Sequence, residues 1–427
     1  MKKNPKFWIA LVIFSLVGQI AWVMENMYFN VFIYKMFHAG PEAISNMVMA
    51  SAVAATVTTL LIGALSDKVG KRKLFICGGY ILWGISILSF SLIRTDVISR
   101  FVPLASAASV GISLVIIMDC VMTFFGSSAN DAAFNAWLTD STDETNRGAA
   151  EGINAMMPLM AILVVFGGFM SLDQNLPQTW TVIFSVIGGV VLVLGVLGFF
   201  LIEEPKVDNT GNENYFRNIF YGFRPRVIRE NKGLYLALLA YAVFGISIQI
   251  FMPYLILYYE VSLQMPNYVL LFAPAIILAA AFTAVYGRVY DRKGFKASVT
   301  PVLALLMAGY VLLYFFRATV PVFVGSLLMM CGYLSGMAVF GAILRDKTPA
   351  GKAGMFQGQR IVGQVLIPGI IGPAIGRAVL KNAETIVNTD GTTSFIPNEK
   401  IFLAAFAAAV VIWVAFVPLF RTLKKEQ

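Results

Sequence analysis

Gly63-Ala-Leu-Ser-Asp67-Lys68-Val-Gly70-Lys71-Arg72 has a counterpart in Gly287-Arg-Val-Tyr-Asp291-Arg292-Lys-Gly294-Phe-Lys296. At a constant offset of 224 residues the two stretches align Gly on Gly, Asp on Asp, Lys on Arg and Gly on Gly. Each is a charged turn between two long apolar runs. Glycine permits the tight turn, and the basic run Lys71-Arg72-Lys73 favours the cytoplasmic face of a membrane. A second pair of turns repeats in the same sense. Thr142, Gly148 and Gly152 align with Thr348, Gly354 and Gly358 at an offset of 206. The chain therefore reads as two halves running in the same direction, a construction used by many transporters.

Working outward from these turns, the apolar runs account for almost the whole chain. The 427 residues are 58% hydrophobic and 13% charged, with a mean hydropathy of +0.77. Soluble proteins carry about 25% charged residues, so no soluble domain of useful size is expected. Twelve runs reach the roughly 20 residues that an α-helix needs to cross a bilayer. They fall near 7–34, 42–65, 74–93, 104–139, 150–170, 180–202, 235–259, 267–288, 297–316, 320–344, 353–380 and 400–420. They are too long and too evenly apolar for barrel strands, which leaves helices. The expected fold class is an all-α membrane protein: an N-terminal six-helix bundle over 1–202, a cytoplasmic linker over 203–234 and a C-terminal six-helix bundle over 235–427. The first run is too long for a cleaved signal peptide and is read as span 1.

The net charge of +9 follows topology rather than nucleic-acid binding. With both termini inside, the inner loops and ends receive 24 Lys and Arg residues and the outer ones 7. That asymmetry places both termini in the cytoplasm, in a multi-pass plasma (bacterial inner) membrane protein. Membrane lipid is then the expected neighbour, and nucleic acid is not. Cys77, Cys120 and Cys331 lie far apart inside spans and show neither disulfide nor metal spacing. The single histidine, His38, falls in the first outer loop. No Gly-x-x-x-x-Gly-Lys-Ser/Thr sequence occurs, which argues against a P-loop ATP-driven pump. No cofactor or metal site is expected. The linker segment Tyr215–Arg224 mixes aromatics with Arg, a composition suited to the inner membrane surface.

The repeated turns resemble the signature of the major facilitator superfamily, Gly-x-x-x-Asp-Arg/Lys-x-Gly-Arg/Lys-Arg/Lys. The match is carried by Gly63, Asp67, Lys68, Gly70, Lys71 and Arg72; the second copy keeps Gly287, Asp291, Arg292 and Gly294 but departs at Phe295. The resemblance implies two six-helix bundles around a cavity that opens alternately to each side, with Asp67 helping to latch the cytoplasmic side. A narrower likeness involves the glycoside–pentoside–hexuronide cation symporters and their sucrose-transporter relatives. It rests on Asn130-Asp131 with Asn135 and Trp137 in span 4, and on Gly18-Gln19-Ile-Ala-Trp22 with Glu25 in span 1. It implies sugar and coupling-cation roles for Glu25 and Asp131, with Glu25 standing where sodium-type symporters have Asp.

Charges inside a span cost about 2.5–3.5 kcal/mol on insertion scales and normally face a partner or a cavity. Four stand out: Glu25, Asp119, Asp131 and Arg360. At about 100° per residue, Gln19, Trp22, Asn26 and Asn30 share one arc of span 1, with Glu25 at its border. Polar groups beside an indole suit a hydroxylated ligand. On span 11, Gln357, Arg360 and Gln364 share an arc, and Arg360 is suited to an acidic partner or substrate. Gln249 and Tyr254 on span 7 are softer candidates, with Pro253 able to form a hinge between them. Asp119 lies twelve residues from Asp131, about 18 Å along a helix, so the two cannot share one ion. Asp119 is left as an outer-gate or structural residue. The substrate-binding set is thus Gln19, Trp22, Glu25, Asn26, Asn130, Asp131, Gln249, Tyr254, Gln357, Arg360 and Gln364.

These features predict a secondary active transporter, not an enzyme. Its expected work is uptake of a sugar or glycoside with H⁺ or Na⁺, as a monomer. A drug/proton antiporter on the same fold is the first alternative. A non-transporting membrane sensor or scaffold is the second.

Overall fold

The computed structural model describes residues 4–142, 146–204, 220–349, 356–388 and 391–426. It forms two compact units, Met1–Tyr215 and Phe216–Gln427. The division falls inside the 203–234 segment.

Within the first unit, span 1 is Pro5–Phe37, span 3 Arg72–Leu92, span 4 Leu104–Asp140 and span 6 Pro177–Leu201. Span 2 is the helix Pro41–Val69 and span 5 the helix Arg147–Phe169. The second unit holds span 7, Lys232–Ser262. A continuous helical stretch, Tyr268–Phe315, follows; it is interrupted at Gly294, where φ is 71° and ψ −178°. That break separates spans 8 and 9. Span 10 is Thr319–Lys347, span 11 Gly358–Leu380 and span 12 Lys400–Lys424. Twelve spans are therefore present among the described residues. Their outer faces carry exposed Leu, Val, Ile and Phe, as in Val186, Val190, Val193 and Leu197 along span 6. That surface suits a hydrocarbon surround rather than water.

Between helices the contact is made by small residues, since lipid removes the hydrophobic drive for association. Spans 3 and 6 meet where a Cβ added at Gly84 would stand 2.5 Å from the Leu192 nitrogen. Span 1 starts from Asn4, whose side chain accepts from the Lys6 amide, with Pro5 at the first helical position.

The signature turn explains its own residues. Gly70 ends span 2 in the left-handed conformation at φ 68°. Arg72, 5% exposed, then donates to Asp140 Oδ2 at 3.0 Å and to Ser66 Oγ at 2.7 Å. The turn is thus tied to the C-terminal end of span 4. The offset of 206 also carries Asp140 onto Asp346, which accepts from the Tyr290 hydroxyl beside the second turn. That acidic pair was legible in the sequence and was missed. The Asp67 side chain, expected to act as a latch, lies outside the described residues.

Two features were not anticipated. A small antiparallel hairpin, Thr385–Val387 with Thr393–Phe395, sits between spans 11 and 12. Wide π turns interrupt spans 1, 4, 7 and 11 at Met24–Tyr28, Ser127–Phe134, Tyr258–Ser262 and Val362–Leu366. Of the linker, residues 205–219 lie outside the described part; Tyr221–Phe223 forms a 3₁₀ turn and Pro225–Glu230 a short helix.

Gly70→Ala is expected to cost about 1–2 kcal/mol, because a Cβ opposes the left-handed conformation. Gly287 has open space and no positive φ, so Gly287→Ala is the control. Thermal melts of the detergent-solubilised protein should fall for the first and hold for the second. Equal melting temperatures would contradict this account of the turn.

Candidate functional site

Three helices of the first unit converge on one carboxylate. Glu25 is 8% exposed and lies in the π turn of span 1. Its Oε1 accepts from the hydroxyl of Ser51 on span 2 and from Thr123 Oγ1 on span 4, the latter at 2.9 Å. The two hydroxyls are themselves 2.9 Å apart. Its Oε2 is buried without a hydrogen-bond partner among the described residues. One oxygen is therefore saturated and the other is not, an arrangement that leaves capacity for a further donor.

Asp131 lies one station further along span 4. Its Oδ2 accepts from Ser127 Oγ at 3.0 Å and its Oδ1 from Asn130 Nδ2 at 3.3 Å. Trp22 on span 1 faces it as a further hydrogen-bond partner. Asn130 in turn accepts from the Tyr80 hydroxyl of span 3 at 3.1 Å, and Tyr80 also donates to Phe14 O at 2.8 Å. Gly18 makes the room for this network. A Cβ there would stand 2.5 Å from Asn130 Oδ1 and 2.7 Å from the Tyr80 oxygen. Trp22 packs on Trp83 with ring centroids 5.1 Å apart, so an indole pair flanks the polar groups.

Glu25, Asn130, Asp131 and Trp22 are thus brought together inside one unit. Gln19 is half-buried and Asn26 exposed on the same helix. Asn26 Nδ2 donates to Trp22 O at 2.8 Å, and Asn30, fully buried, donates to Asn26 O at 2.9 Å. Trp22, Asn26 and Asn30 are thus chained in i, i+4 steps along span 1, with Asn26 exposed and Asn30 buried. A rotation of 100° per residue holds for Pro5–Val23, but the i→i+5 turn that follows inserts extra backbone. Glu25 and Asn30 turn inward while Asn26 stays exposed.

In the second unit, Arg360 is half-buried on span 11, and the Tyr241 ring of span 7 stacks on Phe340 at 5.4 Å. Gln364 is half-buried within the π turn of span 11. The Gln357 side chain lies outside the described residues. Gln249 is half-buried where span 7 meets span 11, and a Cβ at Gly372 would fall 2.4 Å from its Cβ. Tyr254 is fully buried against Gly376 and Phe395.

Sequence reasoning missed Ser51, Thr123 and Tyr80. A signal existed for Thr123 and Ser127, which fall at four-residue steps between the two aspartates of span 4. Ser51 and Tyr80 offered none, since a lone hydroxyl in an apolar span is commonplace. Among the described residues, no three His, Cys, Asp or Glu side chains converge as a metal site. A cleft of 480 Å³ opens elsewhere, lined by Phe32, Met36, Leu104 and the Arg94–Asp96 pair. There the Arg94 guanidinium holds the Asp96 carboxyl below its ordinary range.

With this geometry in place, likeness to known proteins becomes informative. The family model described as Major Facilitator Superfamily matches residues 7–373. No curated protein matches the chain by sequence. Among solved structures, a point mutant of a nucleoside transporter is 14% identical with a TM-score of 0.70, covering 98% of this chain and 100% of its own. A bacterial homologue of the human lysosomal transporter Spinster is 14% identical with a TM-score of 0.72, covering 100% and 99%. The xylose transporter from E. coli is 14% identical with a TM-score of 0.67, covering 95% and 97%. At such identities the likeness speaks to fold.

Gly18→Ala should destabilise the first unit by about 1–3 kcal/mol through overpacking. An Asn130→Ala background should relieve part of that penalty, because Asn130 Oδ1 is the nearer of the two clashes and the Tyr80 oxygen remains. A double-mutant cycle of thermal melts reads this coupling. Additive effects would show that Gly18 does not act through Asn130.

Proposed function

The chain belongs to the major facilitator superfamily, and on that footing we propose that it imports a sugar or glycoside coupled to H⁺ or Na⁺ by alternating access. Its membership and its many apolar spans make it an integral multi-pass membrane transporter rather than an enzyme. The observation that carries the finer reading is Glu25: a carboxylate buried in span 1, gripped on one oxygen by hydroxyls of spans 2 and 4. A bare charge there is costly, so occupancy by a cation relieves the bundle and favours one conformation over another.

Asp131 is the companion coupling group, closer to the surface and joined to Asn130 and Trp22. Amide and hydroxyl groups beside indole faces suit sugar hydroxyls and their apolar ring faces. Gln19 and Asn26 extend that polar surface. In the second unit, Gln249, Arg360 and Gln364 are the groups offered to substrate. The charge asymmetry supports cytoplasmic termini in a plasma (bacterial inner) membrane. A monomer, with no cofactor beyond the coupling ion, is sufficient for this work.

The test is radiolabelled uptake into proteoliposomes by the purified protein. A panel of mono- and disaccharides, glycosides and uronic acids is offered under imposed inward H⁺ or Na⁺ gradients. Accumulation driven by one gradient supports the reading and names the ion. No uptake of any member by folded protein, with resistance of expressing cells to lipophilic cations, would transfer it to drug/proton antiport.

Glu25→Gln and Asp131→Asn should each abolish uphill accumulation, at least about a tenfold loss, while sparing downhill exchange, because a neutral side chain mimics the loaded carboxyl. Wild-type accumulation by both variants would remove the coupling role from these residues.

A further inference from the structure

Asp119 is unexplained by the account so far. It is 1% exposed in span 4, and its Oδ1 has no hydrogen-bond partner among the described residues. A buried carboxylate with an unpaired oxygen is costly without a role. Its position relative to its neighbours supplies one. Asp119, Thr123 and Ser127 occur at four-residue steps and line one face of span 4, about 6 Å apart per step; Asp131, within the π turn, joins that face through the hydrogen bond from Ser127. Thr123 hands its hydroxyl to Glu25, and Ser127 hands its own to Asp131. The face therefore alternates carboxyl, hydroxyl, hydroxyl, carboxyl, with a third carboxylate docked beside its middle.

Of the four residues on this face, Asp131 alone is half-buried; Ser127, Thr123 and Asp119 are buried. The groups facing the ladder from the packed helices are Glu25 on span 1, Ser51 on span 2 and Tyr80 on span 3. Thr123 is the residue common to both buried carboxyls, hydrogen-bonded to Glu25 and one helical step from Asp119.

We propose that this face is a proton relay, entered at Asp131 and ending at Asp119, so that Asp119 and Glu25 share a proton inside the first bundle. The inference rests on the transport reading above and takes H⁺ as its coupling ion. A relay needs hydroxyls between carboxyls. A proton leaving the Asp131 carboxyl passes to Ser127 as Ser127 releases its own towards Thr123; Thr123 releases its own to Glu25 Oε1 or to Asp119. Each hydroxyl gains one proton and loses one, and only O–H bonds change. The steps Ser127–Thr123 and Thr123–Asp119 have no direct hydrogen bond in this structure; hydroxyl rotation or a bridging water spans each.

The experiment follows hydrogen–deuterium exchange of the carboxyl bands by infrared spectroscopy, using the purified full chain in lipid without substrate. The bands are assigned by their loss in Glu25→Gln and Asp119→Asn. Thr123→Val should slow exchange at Asp119 about tenfold or more, Asp131→Asn should slow it at both Glu25 and Asp119, and Thr123→Ser should retain the wild-type rate. Added Na⁺ should leave the rates unchanged. Wild-type exchange at Asp119 in both Thr123→Val and Asp131→Asn would overturn the relay, as would suppression of the carboxyl bands by Na⁺. Thr123→Ser reports on folding, so a slow Thr123→Val is read against a properly folded neighbour. Absence of sugar uptake would sink the substrate reading and leave these exchange rates as they are.

Discussion

A carboxylate inside an apolar bundle has to be satisfied by groups that the bundle itself brings, because lipid offers none. Glu25 shows how much of the first unit is arranged around that requirement. Span 2 supplies Ser51, span 4 supplies Thr123, and the π turn in span 1 aims the carboxyl at both. Removing any one of these would leave a buried acceptor short of a donor, at a cost of about 1–3 kcal/mol. The same constraint shapes the signature turn, where buried Arg72 is joined to Asp140 and Ser66. Polar groups hold these helices in register, while apolar residues face outward.

That arrangement also suggests how occupancy of one group reaches the rest of the unit. Glu25 touches spans 2 and 4 through single hydroxyls, and Asp131 reaches span 3 through Asn130 and Tyr80. Neutralising either carboxylate alters hydrogen bonds to several helices at once. On the proposed reading, a rearrangement of those bonds is the physical content of coupling, with the ion binding one arrangement of the bundle better than another. Gly18 matters for the same reason, since its missing side chain is the space in which Asn130 and Tyr80 meet.

Much of this was legible in the order of residues alone. The twelve apolar runs, the turn at Gly294 and the two-half organisation follow from bilayer thickness and from repeats at offsets of 224 and 206. Glu25, Asp119 and Asp131 were visible because charge inside a span is expensive. What could not be read was which way they point. A 100° wheel assumes α-helix throughout, and the π turns at Met24–Tyr28 and Ser127–Phe134 break that assumption at the residues that matter. Ser51 and Tyr80 depend on contacts between helices far apart in sequence. The hairpin between spans 11 and 12 had a local cue in Asp390-Gly391 between β-branched residues, overlooked against so strongly helical a background.

The most direct test of the account is proton exchange on substrate binding, read with a pH-sensitive dye in a weakly buffered solution of the purified transporter. The ligand is the sugar that uptake identifies. If Glu25 must be neutral for loading, binding draws about one proton per transporter from solution by reciprocal linkage, and Glu25→Gln binds the same sugar without drawing any. Binding with no proton uptake by the wild type, or equal uptake by Glu25→Gln, would contradict the claim that this buried carboxylate couples ion to substrate.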